Sequence, residues 1–271
     1  MSSDSPNRRD FLGLAGASLS AAAPPRQRTI PLALIQFDAV PEHVDQNLKV
    51  MEALAEEARA RGARWIMFHE GTVCDYTPRV RELAEAVPAG PSTRRMAQLA
   101  RRLHCYISFG LSETARDRYY ISQVFVGPKG YFYHYRKTWL WREPSDKGYR
   151  NEWARYDPGT GPGIFLIDGV KATCFICADG DSPRCIERLA QLAPRVVFYP
   201  NNRGALPPFE SFGKIARAVR APMLVTNRTG ASRVHQCKGG CALFSAQGEV
   251  LAKANREGRQ EILHCTLDLA G

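Results

Sequence analysis

Between residues 30 and 268 the chain switches repeatedly between two hydrophobic periods, and that switching restricts its fold more than any other feature. Ile30-Pro31-Leu32-Ala33-Leu34-Ile35-Gln36-Phe37 is nearly continuous apolar sequence, the pattern of a buried strand. Val44, Leu48, Met51, Ala55 and Ala58 then recur at helical spacing, and the stripe stops near Gly62. A second strand over 64–69 carries Glu70 at its end, and a helix over about 92–103 leads to a strand over 106–110.

The next segment changes character. Residues 122–126 and 131–136 flank Gly127-Pro128-Lys129-Gly130, which reads as a hairpin with Lys137 at the end of its second strand. Residues 138–162, rich in Trp, Arg, Gly and Pro, read as a long irregular loop, a type that is usually functional or disordered. A strand pair over 164–167 and 172–176 meets Cys177. Helices over 183–192 and 209–219, strands over 196–199 and 223–226, a hairpin around Gln247-Gly248 and a last strand over 261–267 complete the chain. Alternating β and α units mixed with hairpins predict an α/β fold of mixed sheets covered by helices. At 271 residues, 44% hydrophobic and 24% charged, the chain can bury a full core, and no linker divides it. One domain over 28–271 is expected. No run reaches the roughly 18 apolar residues of a membrane helix.

Residues 1–27 stand apart. Arg8-Arg9 precedes a weakly hydrophobic Gly/Ala-rich stretch that ends Ala21-Ala22-Ala23 before Pro24-Pro25, the order of a twin-arginine export signal and short linker. That reading places the mature protein in the periplasm or outside the cell. Asp4 and Asp10 cancel Arg8 and Arg9, so the stretch up to Ala23 carries no net charge and the formal +10 belongs to the rest of the chain. Its arginines are scattered and not interleaved with aromatics, which favours a solvated basic face over a nucleic-acid site. Eight cysteines in an exported protein would ordinarily suggest disulfides. Cys174 and Cys177, however, fall three apart in an apolar run, on opposite faces of a strand, unlike the helix-start pair of a thiol-redox protein. Cys237 and Cys241 near His235 lack a second ligand pair, so no metal is expected.

Glu70, Lys137 and Cys177 each end a strand, where a rigid element can hold a reactive group at an open rim. Thiolate is the attacking form of cysteine, a carboxylate can take the thiol proton, and an ammonium can stabilise thiolate and oxyanion. The three types suffice for acyl transfer from nitrogen to water without metal or cofactor.

The surrounding segments strengthen this reading. Ala33-Leu34-Ile35-Gln36 with Asn47, the segment from Gly62 through Phe68-His69-Glu70, Tyr135-Arg136-Lys137-Thr138-Trp139-Leu140, and Ile176-Cys177-Ala178-Asp179 with Pro183 resemble, in order, motifs of the nitrilase-like carbon–nitrogen hydrolase superfamily. Ala216-Arg217-Ala218, Asn227-Arg228-Thr229-Gly230 and the segment from Gly240 to Leu251 resemble its later part. The resemblance spans about residues 30–268. It implies an α-β-β-α sandwich, commonly dimerised so that sheets stack between helix layers. It implies Glu70 as general base, Lys137 as oxyanion-stabilising cation and Cys177 as the acylated nucleophile. The implied reaction is hydrolysis of a non-peptide C–N bond through a Cys-bound acyl-enzyme, releasing ammonia or an amine.

A second glutamate that positions substrate is also implied. Glu152 fits by its interval before Pro158-Gly159, and Glu143 is the runner-up. Departures from the pattern are informative. His69 stands where the family often has proline and reads as a packed histidine. Arg184 replaces an acidic residue. Ala178 stands where the nitrile-cleaving branch has Trp followed by Glu, which favours an amide, carbamoyl or ureido substrate. Asn201, Asn202 and Arg203 follow a strand end as candidate pocket residues, with Arg203 suited to a substrate carboxylate. Two other readings are acyl transfer to an amine and a catalytically silent protein of the same fold. Lys replacement of both Arg8 and Arg9 should leave unprocessed precursor in the cytoplasm, measured by fractionation; processed protein recovered unchanged from the periplasm would refute the leader assignment.

Overall fold

Alternate residues of the first strand face two different cores. Ile30, Leu32 and Leu34 pack in one cluster, and Ala33, Ile35 and Phe37 in the other, which is why this stretch reads as unbroken apolar sequence. The computed structural model describes Met1 and residues 29–142, 151–233 and 236–269. The expected leader (apart from Met1), Glu143 and His235 lie outside the described residues.

Chain order runs β1 (Thr29–Gln36), α1 (Val44–Ala60), β2 (Trp65–Met67), α2 (Val80–Leu83), α3 (Pro91–Leu103), β3 (Tyr106–Ala115), β4 (Arg118–Gly127) and β5 (Gly130–Arg136). With the last strand, β14 (Glu261–Asp268), these strands form one six-stranded sheet in the order β14-β1-β2-β3-β4-β5. Strands β1, β2 and β3 run parallel, and the outer strands on both sides join antiparallel.

The second half supplies β6 (Phe165–Ile167), β7 (Val170–Cys174), α4 (Pro183–Leu192), β8 (Val196–Pro200), α5 (Phe209–Val219) and β9 (Met223–Thr226). It continues with β10 (Thr229–Ala231), β11 (Gln236–Lys238), β12 (Ala242–Phe244) and β13 (Val250–Lys253). A second six-stranded sheet has the order β13-β12-β9-β8-β7-β6, and β10-β11 is a separate small ribbon.

The two large sheets pack face to face. Phe125 of β4 sits 4.6 Å from Phe165 of β6 and 5.2 Å from Phe198 of β8, ring centre to ring centre, and Trp65 of β2 also meets Phe198. Helices α1 and α3 cover the outer face of the first sheet with Leu48, Met51, Leu54, Met96 and Leu99. Phe212, Ile215 and Val219 of α5 and Leu189 of α4 cover the second. This is the α-β-β-α layering that the family resemblance implies, built from the mixed sheets and covering helices that the sequence pattern predicts. No helix among the described residues is long and apolar enough to cross a membrane.

Three features differ from the sequence reading. Strands β3 and β4 pair as a hairpin that the sequence reading did not contain, reaching beyond the strands read at 106–110 and 122–126 to Ala115 and Arg118. Polar Ser112 and Glu113 are buried there and Glu113 accepts from Ser122, so polarity does not mark a loop. The β10-β11 ribbon contains Gly230 and gave no apolar run to detect. Strand β7 stops at Cys174, and Cys177 opens a 3-10 turn, so the two thiols are not on opposite faces of one strand. Phe125 is fully buried among aromatic rings from both sheets, so Phe125→Ala should cost about 3–5 kcal/mol of stability, read as a lowered denaturant midpoint at unchanged slope.

Candidate active site

Glu70, Lys137, Cys177 and the Asn201–Arg203 segment all lie just beyond the C-terminal ends of β2, β5, β7 and β8. Lys137 is completely buried, and its Nζ donates at 2.8 Å to Oε1 of Glu70 and at 2.8 Å to Oε1 of Glu152. Glu152 sits on a 3-10 turn (Glu152–Ala154) within the long loop. Its Oε2 accepts the Trp141 backbone N–H at 2.6 Å, while its own N–H donates to the Trp141 carbonyl, so the carboxylate and loop fix each other. The structure thus places Glu152 in the cluster.

Tyr76 is the member that the sequence reading missed. Its hydroxyl lies 2.9 Å from Oε1 of Glu70 and 2.7 Å from Oε1 of Glu152. The available signal was its position six residues after Glu70, but an isolated tyrosine in a polar segment has no periodicity to distinguish it.

Burial alone would drive the Lys137 ammonium to shed its proton; Glu152 and Glu70 outweigh this and hold its pKa well above the usual lysine value. Burial raises the Glu152 carboxyl, with Glu70 adding to the rise and Lys137 opposing it. The Cys177 thiol is pushed up to about 12, first by burial and then by the Glu70 charge, against the pull of Lys137 and Arg203. At neutral pH it is therefore a thiol and not the lysine-stabilised thiolate that residue types suggest. Oε2 of Glu70 is buried and has no hydrogen-bond partner.

The Cys177 segment is held in an uncommon conformation. Cys177 has φ +45°, in the left-handed region that costs a non-glycine residue on the order of 1–3 kcal/mol. Tyr199 donates its hydroxyl to the Cys177 carbonyl at 2.7 Å, and a Cβ at position 180 would fall 2.2 Å from that hydroxyl, so only glycine fits there.

Asp179 joins this turn to the lysine segment. Its carboxylate accepts from the N–H groups of Ile176 (2.8 Å), Thr138 (3.1 Å) and Trp139 (2.6 Å) and from the Tyr135 hydroxyl (2.8 Å). Burial raises this carboxyl, and the N–H groups of Trp139 and Ile176 with the Tyr135 hydroxyl oppose the rise by favouring the charged form.

Asn202 donates to the Glu70 carbonyl at 3.3 Å and to Asp75 at 2.8 Å. Asp75 in turn pairs with the fully buried Arg228. Asn47 donates to the Val73 carbonyl at 3.0 Å, holding the segment after Glu70 from the helix side. His69 is buried, its Nδ1 donates to the Glu70 carbonyl at 2.7 Å, and burial lowers its pKa to about 3. It braces the backbone as a neutral ring, as expected of a packed histidine.

A cavity of about 360 Å³ opens over Cys177, a size suited to a small molecule. Tyr76, Trp141, Glu152, Asn202, Arg203 and Leu206 contribute to its walls. The three strand-end residues divide by role. Asn202 and Arg203 face the cavity, whereas Asn201 is buried behind it and accepts from Nε of Arg203 at 3.1 Å.

The Carbon-nitrogen hydrolase family matches residues 31–271 of this chain. The chain belongs to the carbon–nitrogen hydrolase family. It is 27% identical over 252 residues to a nitrilase from Pyrococcus abyssi, covering 89% of this chain and 90% of that one. It is 29% identical over 185 residues to an (R)-stereoselective amidase from a Pseudomonas species, covering 66% of this chain and 64% of that one. Among solved structures it shares its fold with an amidase from Nesterenkonia sp. AN1, with a TM-score of 0.77 at 18% identity over 92% of this chain and 94% of that one. In that structure the acetamide moiety of fluoroacetamide is added covalently to the active-site cysteine.

All eight cysteines are free thiols. Cys74, Cys105, Cys174, Cys185, Cys237 and Cys241 are buried, and Cys237 also borders the cavity. Among the described residues no group of three or more His, Cys, Asp or Glu side chains could hold a metal ion. Asp179→Asn should set an amide N–H against backbone donors and lower stability by about 2–4 kcal/mol, read by denaturant unfolding. Stability equal to the parent would show that the four bonds carry little energy.

Proposed function

We propose that the chain hydrolyses the C–N bond of a small amide, carbamoyl or ureido compound, with Cys177 as nucleophile, Glu70 as base and Lys137 as the oxyanion-facing cation. The observation that carries this reading is the unpaired Oε2 of Glu70, buried in a cluster whose charge acts directly on the Cys177 thiol. A thiol with a raised pKa needs a base at the moment of attack, and an orphaned carboxylate oxygen is a base with nothing else to bind.

Cys177 Sγ attacks the substrate carbonyl carbon while its proton passes to Oε2 of Glu70. The carbonyl electron pair moves to oxygen. An ammonium has three N–H donors, and Lys137 uses two on Glu70 and Glu152, so one remains for the oxyanion. The Ala178 N–H, in the first turn after Cys177 where helical N–H groups lack an internal acceptor, supplies a second donor. The pair then re-forms the carbonyl, the C–N bond breaks, and Glu70 returns the proton to the leaving nitrogen. Water hydrolyses the thioester by the same steps with Glu70 again as base. Glu152 positions Lys137 and the Trp141 wall of the cavity.

Arg203 is the proposed partner for a substrate carboxylate. Burial disfavours its charge, but a guanidinium stays protonated and the Asp181 carboxylate lies 3.8 Å from it; its guanidinium also lies 5.5 Å from the Phe212 ring centre. The amide preference rests on Ala178 and Asp179 following the nucleophile, and it is supported by the acetamide adduct on the cysteine of the Nesterenkonia amidase. Export on the Arg8-Arg9 leader and assembly as a homodimer complete the proposal.

Ammonia release should be measured on matched amides, carbamoyl compounds and nitriles. Amides or carbamoyl compounds should give the higher kcat/KM, and Cys177→Ala should abolish release with an unchanged circular dichroism spectrum. Near-normal release by the alanine variant would overturn the mechanism, and a tenfold nitrile preference, about 1.4 kcal/mol of discrimination, would overturn the substrate class.

A further inference from the structure

Tyr76 cannot complete its contacts with the usual number of protons. Its hydroxyl is within hydrogen-bond distance of two carboxylate oxygens, at 2.9 Å and 2.7 Å, and a phenol carries one hydrogen. With both glutamates ionised, one contact sets lone pair against lone pair where only 1% of Glu70 and 2% of Glu152 is exposed. Lys137 does not relieve this, because its protons approach the same two oxygens from its own position. Charge leads to the same result. One ammonium against two carboxylates leaves a net negative charge in a cluster almost without solvent, an arrangement that burial strongly disfavours. A single extra proton removes both difficulties.

The surroundings indicate where it sits. Burial and the Glu70 charge raise the Glu152 carboxyl, with Lys137 and the Trp141 N–H acting the other way. The other charged or titratable groups facing the cluster are Cys177 and, across the thiol, Arg203; Tyr156 and Asp179 lie farther out, toward Glu152 and Lys137.

We propose that Tyr76 is a positioning residue that holds one shared proton between the two glutamates. At rest Glu152 is a neutral acid whose Oε1–H donates to the Tyr76 oxygen, and the Tyr76 hydroxyl donates to Oε1 of Glu70. The Glu70 carboxylate is thereby fixed in rotation with Oε2 left as base, a role that rests on the hydrolase reading above. The arrangement also favours return of the proton. Once Oε2 has taken the Cys177 proton, the Tyr76 donor faces a neutral carboxyl, so the bond is strengthened again when Glu70 passes the proton to the leaving nitrogen. No atom is gained or lost, because the shared proton stays on the Glu152–Tyr76 pair throughout.

Two measurements test this. Carbon-13 NMR of protein labelled at the glutamate carboxyls, without substrate, should show one carboxyl still protonated at neutral pH, retained in Glu70→Gln and missing in Glu152→Gln. Full ionisation, or loss of the signal with Glu70→Gln instead, would overturn the proposal. Tyr76→Phe keeps the ring and removes the hydroxyl that accepts from Glu152 and donates to Glu70, so the protonated-carboxyl signal should shift or disappear in this variant as it does in Glu152→Gln. A signal that Tyr76→Phe leaves unchanged would reduce Tyr76 to a packing role and overturn the proposal. The NMR result does not depend on turnover, so a failure of the hydrolase reading, seen as an active Cys177→Ala variant, remains distinguishable.

Discussion

Lys137 carries an ammonium that has no contact with water, and the surrounding structure is organised around keeping it charged. An isolated buried cation is too costly to persist, so the side chains of two glutamates reach it from different parts of the chain. Glu70 arrives from the end of β2 and Glu152 from a turn fifteen residues past the lysine. The second arrival requires the loop to fold back on itself, and the paired backbone bonds between Glu152 and Trp141 make it do so. The wall of the substrate cavity at Trp141 thus follows from the charge requirement of a residue beneath it.

Cys177 depends on the same arrangement through Asp179. One carboxylate satisfies N–H groups just after Lys137 and just before Cys177, so the two segments cannot shift independently. This rigidity lets Cys177 persist in a left-handed conformation, because Tyr199 and the turn from Cys177 to Asp181 determine the backbone more strongly than its own preference does. The site does not keep a reactive thiolate at rest. Burial and Glu70 hold the thiol neutral. A resting thiol is also less open to oxidation and chance alkylation, a useful property in a protein with eight unpaired cysteines.

The sequence by itself determined the layered α/β fold and the family, because the hydrophobic periods and the order of short motifs are local properties of the chain. Glu70, Lys137 and Cys177 were legible because each lies in a short family-like motif close after a predicted strand, whereas their residue types and positions alone carried little weight. Glu152 was legible only through its interval from Pro158-Gly159, and nothing local separated it in kind from Glu143. The tertiary structure decided the rest. It brought Tyr76 between the two glutamates, gave Asp179 its four donors, placed Asn201 behind Arg203 instead of beside it, and ended β7 short of Cys177. The longest of those contacts join residues 40 to 76 positions apart. Hydrogen-bond satisfaction in a buried site is a property of the assembled surroundings, and it leaves no periodic trace in the sequence.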